Sequence, residues 1–104
     1  AEDELATFDG AEFDQHFAVN VRAPALLTRA FAEQVGEAGG LVVNLLDSKL
    51  SAPNPDYLSY TLSKMALGGL TELSARALAA KRIRVNSRRG RTKRISRRCI
   101  GSTR

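Results

Sequence analysis

Tyr60 and Lys64 stand four residues apart inside an apolar-periodic segment, residues 57 to 80, that reads as one long helix. That spacing stacks both side chains on one helical face. A phenol beside an ammonium is a proton-transfer pair, because the cation favours phenolate and draws the phenol's pKa toward neutrality. Taken alone the pair says little, since Tyr and Lys fall four apart on many solvated helix faces. The single histidine, His16, and the single cysteine, Cys99, supply neither a metal cluster nor a Cys/His nucleophile pair. His16 has no partner motif and reads as part of a polar helix face.

The meaning of the pair depends on the elements that position it. Residues 10 to 35 carry Phe13, Phe17, Val19, Val21, Leu26, Leu27 and Phe31 at mostly helical spacing. Pro24 interrupts this run and predicts one kinked helix or two abutting ones, with Asn20 one turn before the kink. Residues 36 to 40, Gly-Glu-Ala-Gly-Gly, read as a helix stop and turn. They precede a strand rather than joining strand to helix, so they are not a phosphate-binding loop. Residues 41 to 46 are apolar apart from Asn44, as in a strand covered on both faces. A loop with Pro53-Asn-Pro55 follows. Ala66, Gly68 and Gly69, near the middle of the long helix, predict the close approach of another backbone. Residues 82 to 85 read as a short strand. Strand, helix and strand make one βαβ unit with parallel strands.

Composition narrows the class. Of the 104 residues, 43% are hydrophobic, enough for a core. No stretch approaches 18 consecutive apolar residues, so no membrane-spanning helix is predicted. The opening Ala1-Glu-Asp-Glu-Leu5 lacks the basic start and apolar run of a signal peptide, and one cysteine allows no intrachain disulfide. These features point to a cytoplasmic protein without a membrane partner. The formal net charge of +5 is unevenly placed. Residues 1–86 hold eight Lys/Arg and eleven Asp/Glu, net −3, whereas residues 87–104 hold eight Lys/Arg and no acid, net +8. Such asymmetry can mark a nucleic-acid-binding arm. This tail has no aromatic residue to stack on bases and no helical period, which argues against nucleic acid as a partner.

Several segments in the right order resemble the short-chain dehydrogenase/reductase family. Residues 40–47, Gly-Leu-Val-Val-Asn-Leu-Leu-Asp, look like its fifth strand. The Tyr60-to-Lys64 segment and the following Met-Ala-Leu-Gly-Gly-Leu-Thr-Glu-Leu look like its active-site helix, and residues 82–86, Arg-Ile-Arg-Val-Asn, like its sixth strand. Residues 17–24, Phe-Ala-Val-Asn-Val-Arg-Ala-Pro, look like the helix that carries the family's catalytic asparagine, here Asn20. The resemblance covers residues 1–86 and implies a partial Rossmann-like, doubly wound α/β sheet: a βαβ unit plus a preceding long helix. The glycine-rich turn after a first strand, the ribose selector and the Asn-Asn-Ala-Gly-like segment of the family have no counterpart here, so the N-terminal half of that fold is expected to be missing and the chain to be an interior fragment.

One position departs from the family pattern. Thirteen residues before the tyrosine, where the family usually has serine, this chain has Asp47, followed by Ser48. Pteridine reductases and similar members carry aspartate there. An ionised aspartate can only accept hydrogen bonds, which suits a substrate presenting N–H groups, such as a pterin. Ser48 substituting through a small register change and Asp47 capping the next loop are the alternatives.

The resemblance implies roles. Tyr60 protonates the substrate as hydride arrives from the nicotinamide, and Lys64 lowers the tyrosine's pKa and binds the nicotinamide ribose. Asn20 helps hold a water in the relay, and Asp47 or Ser48 orients the substrate. The reaction is then NAD(P)(H)-dependent reduction of a carbonyl or imine in a small-molecule substrate, or the reverse. NADPH is favoured over NADH by the pteridine-reductase similarity, and a homo-oligomer is expected of the intact protein. Residues 87–104 match nothing in the family and read as a disordered basic tail, expected to be removable without loss of stability. The family continues with an Ala-Val-Ala-Pro-Gly-like segment. Val-Ala-Pro-Gly coded GTC GCG CCG GGG reads Ser-Arg-Arg-Gly one nucleotide late, which is residues 87–90. A frameshift product is therefore the favoured account of the tail. A catalytically inactive relic and a nucleic-acid-binding peptide stay as rival readings of the whole chain.

Overall fold

The computed structural model describes residues 2–46 and 57–89. Helix α1, Gly10–Phe17, begins at Asp9, whose carboxylate accepts the Ala11 amide as an N-cap. The chain then passes through a π-helical turn, Ala18–Arg22, into α2, Ala23–Gln34. A 3₁₀ turn, Gly36–Ala38, leads to strand β1, Gly40–Leu46. Helix α3, Leu58–Leu78, and a 3₁₀ turn, Ala79–Lys81, lead to strand β2, Ile83–Arg89. The strands pair in parallel with Val42 opposite Val85, and α3 crosses between them as the βαβ reading requires.

Pro24 follows directly on the π turn that joins α1 to α2. It sits in the first turn of α2, and its missing N–H leaves the Asn20 carbonyl without the ordinary α-helical donor. The accommodation is one turn earlier, where the Ala23 amide reaches back to the Ala18 carbonyl in the wide π pattern. The helix therefore runs on through a bulge that contains Asn20.

The strand ends differ from those read in the sequence. Arg82 is outside β2: its φ of 63° is left-handed and makes the turn into the strand. The strand continues past Val85 to Arg89, with Ser87, Arg88 and Arg89 opposite Asn44, Leu45 and Leu46. Residues 87–89, read in the sequence as the start of the basic tail, are thus the last three residues of β2. A parallel ladder is a backbone interaction, so polar and basic residues can take part in it as well as apolar ones. Removing 87–104 would take three rungs of this ladder. Residues 90–104 lie outside the described residues.

Burial in β1 alternates rather than being complete. Val42, Asn44 and Leu46 are half-buried or buried, whereas Leu41, Val43 and Leu45 are exposed. Only one face of the strand is covered among the described residues, by α3. Among the described residues, Leu46, Leu67, Ile83 and Val85 form the buried apolar core. Gly39 shows why the turn before β1 needs glycine: its φ is 76°, and a Cβ there would collide with the Arg82 carbonyl. The glycines of α3 play a smaller part than expected. A Cβ at Gly68 would meet Leu46 at an ordinary 3.7 Å, and one at Gly69 would meet nothing within 4 Å.

Asn44, the polar break in the apolar run, is satisfied in the interior. Its amide donates to the Thr71 hydroxyl at 2.9 Å, and that hydroxyl donates to the Leu67 carbonyl at 2.9 Å. Burying an amide without such a partner is costly. Thr71→Val keeps the shape but removes the acceptor, and should destabilise the chain by about 1–3 kcal/mol in thermal unfolding. A double change, Asn44→Val with Thr71→Val, should recover part of that loss.

Candidate functional site

Tyr60 is the third residue of α3, in its first turn, and Lys64 follows one turn later. The Lys64 Nζ lies 5.9 Å from the centroid of the Tyr60 ring. It donates to the Leu45 carbonyl at 3.0 Å, which ties α3 to the carboxyl end of β1. In open α/β sheets ligands bind at the carboxyl ends of the strands. The other two N–H donors of this ammonium give it capacity for a ligand's oxygen atoms. Both side chains are half-buried.

Asn20 reaches the same helix from the π turn. Its Nδ2 donates to the Ser63 Oγ at 2.9 Å, and Ser63 donates in turn to the Tyr60 carbonyl at 2.7 Å. Ser63 is fully buried. The structure thus brings Tyr60, Lys64 and Asn20 together, with Ser63 as the link that the sequence reading missed. Its signal was available: Ser63 stands three residues after Tyr60, within reach of that carbonyl on the helix. Asp47 and Ser48 lie outside the described residues.

Two further residues meet the start of α3. The His16 ring stands edge-on to the phenol ring at 5.9 Å and 78°. It is half-buried rather than on a free polar face, because α1 packs this side against α3. Asp3, which no periodicity marked, bridges Tyr57 in parallel backbone pairing. Its carbonyl accepts the Leu58 amide at 3.1 Å, and its carboxylate accepts the Ser59 amide at 3.2 Å and the Ser59 hydroxyl. Along the neighbouring stretch Phe13 stacks on Phe17 at 4.8 Å and meets Phe8 at a tilt, with centroids 5.5 Å apart. Among the described residues no group of three His, Cys, Asp or Glu side chains could hold a metal ion. No described helix is long and apolar enough to cross a membrane.

The Ser59 hydroxyl holds the Asp3 carboxyl below its ordinary range, helped by the Ser59 amide, the nearby His16 and the Leu58 amide, while burial pushes the other way. A carboxyl depressed on folding stabilises the fold above the ordinary carboxylate range, and the contribution is lost as pH falls through its lowered value. Asp3→Asn should therefore melt below the parent at neutral pH. The gap in melting temperature should close as pH falls below about 3.8, the ordinary Asp value.

Comparison with known proteins places this geometry. A family model described as enoyl-(acyl carrier protein) reductase matches residues 1–87. Dehydrogenase/reductase SDR family member 4 from Homo sapiens is 40% identical over 75 residues, covering 71% of this chain and 27% of its own length. Pteridine reductase 1 from Leishmania tarentolae is 39% identical over 77 residues, covering 67% and 27%. Among solved structures, the alternative dihydrofolate reductase FolM from Brucella suis, in complex with NADP, superposes with a TM-score of 0.78 at 42% identity, covering 84% of this chain and 35% of that one. The chain spans about a quarter to a third of the length of these relatives. With the family matched over residues 1–87 and the sheet, helix and Tyr60–Lys64 pair arranged as described, the chain belongs to the short-chain dehydrogenase/reductase family of oxidoreductases.

Proposed function

We propose that residues 1–86 are the active-site part of an NAD(P)(H)-dependent reductase acting on a carbonyl or imine of a small, pterin-like molecule. The observation that carries this reading is the seating of Tyr60 and Lys64 on one face of α3 at the carboxyl end of β1. A dinucleotide fits the donor set present, since the Lys64 ammonium and the Tyr60 hydroxyl can both bond ribose hydroxyls. When bound, the nicotinamide supplies the hydride. The complex of FolM with NADP, and the 39% identity to a pteridine reductase, favour NADPH and a nitrogen heterocycle.

The chain's own residues have distinct jobs in this reading. Tyr60 gives its phenolic proton to the substrate oxygen or nitrogen as that atom gains charge. Lys64 stabilises the phenolate left behind, and its bond to the Leu45 carbonyl keeps the ammonium near that spot. Asn20 holds a water of the proton relay, and its bond to Ser63 secures the turn beneath Tyr60. Asp47 accepts from substrate N–H groups, or Ser48 donates to the substrate oxygen.

In a full-length relative rebuilt around residues 1–86, Tyr60→Phe should lower kcat by about 10²–10⁴-fold with the fold intact. Lys64→Ala should weaken both cofactor affinity and turnover. Asp47→Ala should slow pterin reduction roughly 5- to 150-fold, the equivalent of one lost hydrogen bond, and spare simple ketones. Equal slowing of both substrate types, with Ser48→Ala the more damaging change, would assign the role to Ser48.

The short span relative to the relatives supports a second reading for the 104-residue chain by itself, that it turns over no substrate. No cofactor oxidation should be seen with carbonyl or pterin substrates. Oxidation abolished by Tyr60→Phe would overturn this.

A further inference from the structure

Helix α3 opens without a cap of its own. Tyr57, its N-cap residue, makes no side-chain capping bond. First-turn amides need partners from outside the helix. Here a residue from the far end of the chain supplies them: Asp3 takes the Leu58 amide on its carbonyl and the Ser59 amide and hydroxyl on its carboxylate. Asp3 is 4% exposed and Ser59 fully buried, so water cannot stand in for these bonds. The next residue along the helix is Tyr60. His16, which contributes to the electrostatics of Asp3, also lies edge-on against the Tyr60 ring. The N-terminal segment, through Asp3, and α1, through His16, therefore both meet the first turn of α3.

We propose that Asp3 is a positioning residue for Tyr60, acting through Ser59 as a remote N-cap that fixes the first turn of α3 and keeps the phenol beside Lys64. This rests on the reading of Tyr60 as the proton donor. Terminal helical turns open at almost no cost unless they are tied. A group that must transfer a proton within hydrogen-bond reach loses about 10²-fold for a displacement of roughly 1 Å. A first-turn tyrosine thus gains from an anchor whose bonds exclude water.

The test uses the full 104-residue chain with its tyrosines ¹³C-labelled at the hydroxyl-bearing carbon. There are two tyrosines, so Tyr57→Phe assigns the Tyr60 signal. Each variant is read twice, by the pH at which the Tyr60 phenol titrates and by melting temperature. Asp3→Ala and Ser59→Ala should each raise the Tyr60 titration by up to about 1 pH unit as the phenol drifts from Lys64. Ser59→Thr, which keeps both donors, should leave it in place. If the Asp3 charge acted directly on the phenol, Asp3→Ala would lower the titration and Ser59→Ala would not move it. That result overturns the proposal. A fall in melting temperature with no movement of the titration in either variant also overturns it, because Asp3 would then be structural only. Should Asp3→Ala not fold, the Ser59→Ala and Ser59→Thr pair decides by the same criteria. Lys64→Ala tests the underlying reading separately. If it fails to raise the Tyr60 titration, the Tyr60–Lys64 pair is not coupled and that reading fails, whatever Asp3 does.

Discussion

The arrangement depends on how closely α3 seats against its neighbours, and a single stripe sets that. Ser59, Ser63, Leu67 and Thr71 recur every four residues and are all buried. Three of the four are hydroxyl residues, small enough to let other elements approach. Each hydroxyl is tied to a side chain from another element: Ser59 to Asp3, Ser63 to Asn20, Thr71 to Asn44. A buried hydroxyl without a partner costs more than a bond returns, so these contacts act as locators as much as supports. Sliding α3 by one residue would break all three. Tyr60 and Lys64 sit one position round from this stripe, so the same contacts that seat the helix aim the pair.

The π turn has the same logic. Pro24 withholds the amide that would close an ordinary α-helical bond to the Asn20 carbonyl. The chain widens over Ala18–Arg22, and Asn20 turns its amide onto Ser63. A local backbone constraint is thereby converted into a contact with the helix that carries the tyrosine. At the other end of the pair, Lys64 spans from α3 to the Leu45 carbonyl and links helix to sheet. The site is held from three directions: by the N-terminal segment, by the helix bulge and by β1.

The apolar side of the βαβ unit is modest by comparison. Among the described residues four apolar side chains are buried, and the outer face of β1 leaves Leu41, Val43 and Leu45 exposed. Polar bonds between elements set the register beside this core. The parallel ladder explains why β2 extends into arginine-rich sequence, since its rungs ask only for backbone and a partner strand.

By itself the sequence determined the local and periodic features. Apolar spacing marked α1, α2 and α3, the glycine run marked the stop before β1, and four-residue spacing placed Tyr60 and Lys64 on one face. Asn20 and Asp47 came from the likeness of ordered motifs to a known family rather than from any pattern of their own. Only the tertiary structure decided what lies across from what. Asp3 meets Ser59 over 56 residues, Asn20 meets Ser63 over 43 and Asn44 meets Thr71 over 27. No period links such positions, because a hydrogen bond across closed loops depends on where whole elements dock. The same holds for residues 87–89, which pair with Asn44, Leu45 and Leu46 of β1, and for His16, whose surroundings were chosen by the packing of α1 on α3.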